Sequence, residues 1–458
     1  MKTIGKRGER RMKRHWRLVL YLLGFLVLAV TLAAFQPAKG SNAPPDEKSR
    51  YLVPKYICEH GELPTGLEEE IRIPGYGFSY MLYNAFPYIV MGLAMRLVKC
   101  FTADPGALLF TARFINVLAG LAMAYVAWLL ARRLFAKERT RWLFCLPVTF
   151  QPMNLFVHSY VNTDSFCMLS TALIVYGLVR MYQEKADVKS CLWTAGGVIL
   201  CALSYYSAYG YILAAVVLYI AYFAKRGENR RYDMKGLLKY AGLTSGIVLL
   251  GISWWFIRQG IVLEGDFLGL HTRNVLTAQY GRESVKFGST FAGQGISFFG
   301  MLKEMLARRL PAKLAGTLIA AYGGLGLKPQ VWYYALYGLV WLAGAAGYIL
   351  HLAGRKTCTQ NRPQCTKTCT ENRPQCTALF HGCMVMCMVL PLVLYLRYCY
   401  MTDYQEQGRY LLPALVPAMY YVAKGLEKLG EMAQACAGAV LVFCALWQVF
   451  AVALPAYL

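Results

Sequence analysis

The residues best suited to chemistry are acids and arginines at the ends of long apolar segments. Four short stretches carry them: "PPDEKSR" at 44–50, "HSYVNTDSF" at 158–166, "GDFLGLHTRN" at 265–274 and "YCYMTDYQEQGRYLLP" at 398–413. A carboxylate can take the proton from a hydroxyl, which contributes about 10²–10⁴-fold to a rate. The planar guanidinium of arginine binds phosphate oxygens in pairs. This combination suits a group transfer in which a hydroxyl attacks and a phosphate departs.

None of these residues has to lie inside an apolar segment, and helix ends can hold them rigidly. For any single acid the simpler interpretation is a solvated loop residue, because outer loops are where polar residues accumulate. Their recurrence at helix boundaries favours a site. The same stretches also contain Asp266, Asp403 and Glu406, to which no role is given. The candidates are Asp46, Glu47, Asn162, Asp164, His271, Arg273, Gln407 and Arg409.

Composition indicates a helical membrane protein that crosses the bilayer many times. The chain has 458 residues, of which 57% are hydrophobic and 16% charged, and its mean hydropathy is +0.38. It contains repeated apolar runs, and about 20 apolar residues span a hydrocarbon core. The formal net charge of +24 could suggest nucleic acid. Much of that charge, however, stands beside apolar runs, where basic residues set topology and meet anionic lipid. Lipid is therefore the expected partner, and nucleic acid is not.

The basic clusters predict the topology. Residues 1–17 place the N-terminus in the cytoplasm, so the apolar run at 18–35 carries the chain outward. A cleaved signal peptide is the alternative for this run. "ARRLFAKERTR" at 131–141 should be cytoplasmic, so the helix before it, 114–130, runs inward and an external loop covers 36–113. Within that loop, 78–98 is expected to lie along the outer interface, with Pro87 as a break.

The remaining apolar runs alternate to give about eleven spans within 18–454. A second external loop is expected at 258–330. Ten of the expected spans are 18–35, 114–130, 142–161, 165–182, 191–206, 237–257, 331–352, 378–396, 410–422 and 432–454. One more span, whose ends the sequence does not define, lies between 191–206 and 237–257 and returns the chain to the basic stretch that begins at Ala224. The protein is thus expected in the cell membrane, with its candidate site on the extracytoplasmic face.

A tandem repeat, "KTCTQNRPQCT" and "KTCTENRPQCT", occupies residues 356–377. Its four cysteines could suggest zinc, but no CxxC pair is present, and near-identical copies indicate duplication in a tolerant loop. The loop is predicted to be cytoplasmic, so its thiols should be reduced. Signatures of phosphate-binding loops, zinc proteases, serine hydrolases and dinucleotide-binding folds are missing from the sequence.

The order of these features resembles the GT-C superfamily of membrane-embedded glycosyltransferases. The resemblance rests on "PPDE" after one outward span, an external "HGELP" segment, "NTD" in the second external turn, a long external segment and a late "QGRYLLP". Within the superfamily, the chain is similar to a bacterial integral-membrane family, domain of unknown function 2142. The resemblance covers roughly residues 15–430, and the duplicated cysteine loop has no place in it.

The resemblance implies an all-α transmembrane bundle that takes sugar from a polyprenyl-phosphate carrier. The acceptor would be a cell-envelope glycan or lipid outside the membrane, and the sugar carbon would be inverted. By this resemblance Asp46 is the catalytic base, Glu47 its neighbour and Asp164 the acid of the second loop. Because adjacent carboxylates raise one another's pKa, Glu47 should raise the pKa of Asp46. The residues expected to bind substrate are Arg113, Asn162, His271, Arg273, Gln407 and Arg409, the last through the lipid phosphate.

Two other functions stay open. A transporter or flippase of lipid-linked saccharides should show a polar path through its spans and internal symmetry, and neither is visible in the sequence. A non-catalytic envelope assembly protein would have replaceable external acids. No cofactor is certain. A divalent metal ion is left open, because Asp46 and Asp164 could serve with or without one.

Overall fold

The computed structural model is all-helical, as the sequence predicts. It describes residues 2–83, 85–224, 232–361 and 378–458, with side chains at 15–83, 85–224, 232–353 and 378–458. Within these ranges there is no β-strand, only an isolated bridge between Tyr322 and Leu327. The α-helices are α1 (Lys2–Phe35), α2 (Glu47–Arg50), α3 (Leu52–His60), α4 (Phe86–Lys99), α5 (Pro105–Leu134), α6 (Glu138–Phe150), α7 (Pro152–Val157), α8 (Asp164–Glu184), α9 (Val188–Ser204), α10 (Tyr209–Phe223), α11 (Met234–Val262), α12 (Leu270–Tyr280), α13 (Phe298–Ala307), α14 (Leu310–Ile319), α15 (Val331–Asn361), α16 (Ala378–Met401), α17 (Leu415–Leu426), α18 (Glu431–Trp447) and α19 (Leu454–Tyr457).

Eight helical segments of the described chain are long and apolar enough to cross a membrane. They are His15–Phe35, Pro105–Leu134, Asp164–Glu184, Tyr206–Phe223, Met234–Val262, Val331–Ala353, Ala378–Met401 and Glu431–Tyr457. The predicted count of eleven is not confirmed. The expected span at 142–161 is broken between α6 and α7 at Gln151, because Pro152 cannot continue the hydrogen-bond ladder of α6. Those at 191–206 and 410–422 form α9 and α17, which are shorter than the other spans.

The segment at 78–98 forms a 3₁₀ turn, Tyr80–Leu82, followed by helix α4. With its 14 residues α4 is about 21 Å long, whereas the hydrocarbon core is about 30 Å thick. It is too short to cross the bilayer unaided. Its position along the outer interface stays a prediction.

The two predicted external loops are packed structures with apolar cores of their own. Helices α3 and α4 bury Ile57, Met91 and neighbouring residues against Trp255 of α11. Helices α13 and α14 bury Met301 and Leu314 against the end of α16. Both loops therefore cover the same end of the bundle, where α1 ends and α8 begins. The tandem repeat at 356–377 lies outside the residues whose side chains are described, so its role stays a prediction.

Candidate active site

Asp46 stands at the turn between the end of α1 and the start of α2. Its backbone is left-handed, with φ of 62° and ψ of 0°, a conformation that aspartate tolerates better than most residues. Its carboxylate pairs with Arg409, with 2.9 Å between Oδ2 and Nη2. The arginine is buried, whereas 41% of the Asp46 side chain is exposed. Asp46 is therefore the accessible half of an ion pair whose other half is fixed in the protein.

Arg409 is held by the 3₁₀ helix Gly408–Ala414 and by α14. Its Nη1 donates to the hydroxyl of Tyr160 at 2.5 Å. The preceding Gly408 donates its N–H to Thr317 Oγ1 at 2.7 Å. A Cβ added at Gly408 would lie 2.4 Å from the carbonyl oxygen of Leu314. The glycine of "QGRY" thus allows the backbone of α14 to lie directly against the residue that precedes the arginine.

The local charges set the protonation of Asp46. Burial alone would raise the pKa of its carboxyl, but Arg409 and Arg50 together hold that pKa below its ordinary value. The expectation that Glu47 raises the pKa of Asp46 is therefore wrong. The physical reason is that Glu47 turns away from Asp46 and is neutralised by a different arginine.

Glu47 and Arg113 form a buried bidentate ion pair. Arg113 Nε and Nη2 lie 2.9 and 2.6 Å from the two carboxylate oxygens, and both side chains are almost completely buried. Glu47 also accepts from the N–H of Val161, while Arg113 Nη1 donates to the carbonyls of Ala33 and Gln36. This pair joins α2, α5, the end of α1 and the turn before α8. The role of this ion pair is therefore structural: it links these elements and so fixes the position of the neighbouring Asp46.

Asp164 and Asn162 lie in the turn that leads into α8. The Asp164 carboxylate is buried, accepts no hydrogen bond from any described residue, and acts electrostatically on Arg50. The side chain of Asn162 is fully buried and donates to the carbonyls of Val157 and Tyr160, so it shapes the turn. The structure thus brings Asp164 to the Asp46 cluster and uses Asn162 to support it.

The remaining substrate-binding candidates divide between the cluster and its rim. Gln407 lines one crevice with Pro45 and Arg409, and its Oε1 is buried without a partner among the described residues. Arg273 of α12 donates to the Tyr83 hydroxyl at 3.1 Å. His271 is exposed on the same helix, and no described contact joins it to Asp46.

The structure adds two groups to which sequence reasoning gave no role. Arg50 lies one helical turn after Asp46, and this i, i+4 spacing in "PPDEKSR" was the available signal. Asp403 interacts with the charge of Asp46 across a long sequence separation, for which the sequence offers no signal. Burial, and then the charge of Asp46, raises the pKa of Asp403, while Gln405 and Tyr76 oppose that shift.

The donor set does not fit a divalent metal ion. Among the described side chains, no group of three or more His, Cys, Asp or Glu is arranged to hold one. Mg²⁺ is usually bound through one or two carboxylates together with water and substrate phosphate, so a site needs carboxylates that are free to bind it. Asp46 and Asp164 both interact with the guanidinium of Arg50, and Asp46 is also bound by Arg409. Positive charge is thus already supplied where a metal would have to act.

The sequence matches a family model described as "Predicted membrane protein (DUF2142)" over residues 68–418. The chain belongs to this family. The matched region of this DUF2142 protein includes Asp164, Asp403 and Arg409, and it begins after Asp46 and Arg50. No protein of curated function matches the sequence.

The fold of this DUF2142 protein is similar to that of other proteins whose structures have been solved. One is the archaeal oligosaccharyltransferase AglB from Archaeoglobus fulgidus, solved with an inhibitory peptide and a dolichol-phosphate, with a TM-score of 0.52 at 13% identity. Another is ArnT from Cupriavidus metallidurans bound to undecaprenyl phosphate, with a TM-score of 0.53 at 15% identity. The matches cover 97% and 91% of this chain but only 56% and 61% of those proteins. The chain thus shares its fold with these two proteins.

Proposed function

We propose that this DUF2142 protein is an inverting glycosyltransferase that moves a sugar from a polyprenyl-phosphate carrier to a hydroxyl at the outer membrane surface. The observation that carries the proposal is Asp46, whose carboxylate is ion-paired with buried Arg409 and yet 41% exposed. Two packed external segments surround it at the end of the bundle. The GT-C fold supports the choice of reaction, since neighbours with this fold were solved with dolichol-phosphate and undecaprenyl phosphate.

Asp46 is proposed as the base that accepts the proton of the acceptor hydroxyl. Because the pKa of its carboxyl is lowered, Asp46 is ionised throughout the neutral range and is ready to accept a proton. The lowered pKa also makes it a weak base. Proton transfer is therefore expected late, when the hydroxyl oxygen has begun to bond to the sugar carbon and its proton has become acidic.

The position of Asp46 explains why such a site would stand at a membrane boundary. It follows α1 by a ten-residue segment, 36–45, that ends in Pro44 and Pro45. A polyprenyl chain can remain in the lipid while its phosphate and sugar reach Asp46. The acceptor then approaches from the aqueous side. Attack opposite the departing phosphate inverts the sugar carbon.

Glycan analysis of a host strain tests this proposal whichever sugar the donor carries. Cell-envelope glycans and lipids from a strain that lacks the protein are compared by mass spectrometry with those of strains complemented by wild type or Asp46→Asn. Glu59→Gln, an exposed acid of the same loop, is the matched control. We expect one sugar to be missing in the deletion strain, restored by wild type and Glu59→Gln, and not restored by Asp46→Asn. An unchanged glycan profile in the deletion strain would refute glycosyl transfer.

A further inference from the structure

Arg50 is a buried cation whose hydrogen-bonding capacity is used only in part by the described residues. Its side chain is buried, and its Nε has no hydrogen-bond partner among the described residues. One long contact joins Nη1 to the Tyr88 hydroxyl, at 3.4 Å. The guanidinium also lies over the ring of Tyr80, 5.2 Å from its centroid. Within the described residues, no carboxylate lies within ion-pair distance of Arg50.

Among the described residues, the two other buried arginines are paired with carboxylates. Arg113 binds Glu47 through two nitrogens, and Arg409 binds Asp46 at 2.9 Å. Arg180 of α8 also has an unpartnered Nε, but its other nitrogens bind Glu184 and Asp187 at 2.7 and 3.0 Å. A buried charge without a hydrogen-bonded partner is costly. Arg50 is therefore arranged as a ligand-binding residue, whose missing hydrogen-bond acceptors a ligand would supply.

The surroundings of Arg50 identify an anion as that ligand. Asp46 and Asp164 act on Arg50 from a distance, so its charge is balanced without direct contact. Arg409 stands close enough to repel Arg50 electrostatically. Two guanidiniums that converge on one accessible carboxylate can both donate to the oxygens of a single phosphate, which suits their planar geometry.

We propose that Arg50 and Arg409 bind the phosphate of the sugar donor and replace a divalent metal ion in stabilising the departing phosphate. This inference rests on the proposed function and names a binding residue and a metal-independent reaction for the same site. The acceptor O–H transfers its proton to Asp46 while its oxygen forms the new bond to the sugar carbon. The bond from that carbon to the phosphate oxygen breaks, and its electron pair leaves with the phosphate.

During this step negative charge moves from the Asp46 carboxylate to the phosphate. Both arginines already act on Asp46, so their positive charge is available to the phosphate as Asp46 becomes neutral. Preorganised donors of this kind stabilise a developing charge without reorganisation. A Lewis-acidic metal would supply the same stabilisation, which is why the arginines make it dispensable.

Binding of undecaprenyl phosphate to the purified full-length protein, followed by native mass spectrometry, tests the inference. Undecaprenol serves as the probe without phosphate, and inorganic phosphate as the probe without lipid. The variants are Arg50→Ala and Arg50→Lys, with Arg180→Lys as the matched control that has the same unpartnered Nε. Every titration is repeated with EDTA and with added Mg²⁺. Melting temperatures report whether each variant folds.

We expect wild type and Arg180→Lys to bind undecaprenyl phosphate equally well, with or without EDTA. Arg50→Ala should weaken this binding about 10- to 100-fold, the effect of losing hydrogen bonds to a charged group. Arg50→Lys should bind more weakly than wild type, because lysine lacks the planar guanidinium that donates to two phosphate oxygens at once.

Four results would overturn the inference or its basis, and they can be told apart. Unchanged binding by Arg50→Ala, or binding that EDTA abolishes, refutes the metal-independent site and leaves the proposed function standing. Arg50-dependent binding of inorganic phosphate without any preference for undecaprenyl phosphate supports the phosphate site but refutes the polyprenyl carrier. A wild-type protein that binds neither phosphate refutes both.

Discussion

The buried pair of Glu47 and Arg113 gives a prediction that separates structure from catalysis. Glu47→Ala removes a carboxylate that accepts two bonds from Arg113 and one from the N–H of Val161. It leaves the Arg113 guanidinium, which is 3% exposed, without a counter-charge. Removing one partner of a buried ion pair costs about 3–5 kcal/mol. We therefore expect Glu47→Ala to lower the melting temperature of the detergent-purified protein markedly.

The double variant sharpens this prediction. Arg113→Ala should also destabilise, but Glu47→Ala combined with Arg113→Ala should cost less than the sum of the two, because neither charge is then left alone. Lys48→Ala, at an exposed neighbouring position, is the control and should melt like wild type. A Glu47→Ala protein that melts like wild type but transfers no sugar would refute the structural assignment and return Glu47 to the catalytic residues.

Three further predictions follow from other contacts of the site. Gly408→Ala should reduce sugar transfer at least about tenfold while the bundle still folds. The reason is that a Cβ 2.4 Å from the Leu314 carbonyl oxygen must displace Arg409 from Asp46. Gly430→Ala is the control, because a Cβ at that position meets no atom within 4 Å. Asp403→Asn should raise the melting temperature at pH 7, because burial raises the pKa of Asp403 and its ionised form costs stability above that pKa. That gain should vanish as the pH falls below the unfolded value of about 3.9, where the wild-type carboxyl is protonated in both states. Deletion of residues 367–377 should leave expression and sugar transfer close to wild type, because the entropic cost of closing a hydrated loop changes little with its length. Loss of folding, or stoichiometric zinc in the purified protein, would contradict this.

Apolar patterning was enough to predict the membrane bundle, because a span needs only a long run of apolar residues. It was not enough for the number of spans. Pro152 ends the ladder of α6 where hydropathy continues, and α9 and α17, with 17 and 12 residues, are shorter than the helices that could cross a membrane. The sidedness of the loops is likewise a prediction from basic clusters. Cysteine labelling from outside at positions near Asp46, Asp164 and Arg409 would test it.

The candidate site shows a similar division. Sequence reasoning placed Asp46, Asp164 and Arg409 on the same face, and the structure brings them to one cluster. It could not tell which way two adjacent carboxylates point, because that depends on the left-handed backbone of Asp46 and on distant Arg113. The contribution of Asp403 depends on folding that joins the first and last thirds of the chain. His271 is predicted from the same stretch as Arg273, but it lies exposed on α12, and no contact among the described residues joins it to Asp46.

The rate of sugar transfer by Asp46→Asn tests the central claim most directly. The measurement uses the donor and acceptor identified by the glycan comparison, with protein whose melting temperature shows that it is folded. Asparagine keeps the shape of the side chain but cannot accept the proton. We predict a rate at least about a hundredfold below wild type. Because the pKa of Asp46 is lowered, the wild-type rate should persist as the pH falls towards 4. If Asp46→Asn transfers sugar at the wild-type rate, Asp46 is not the base, and Asp164 becomes the next candidate.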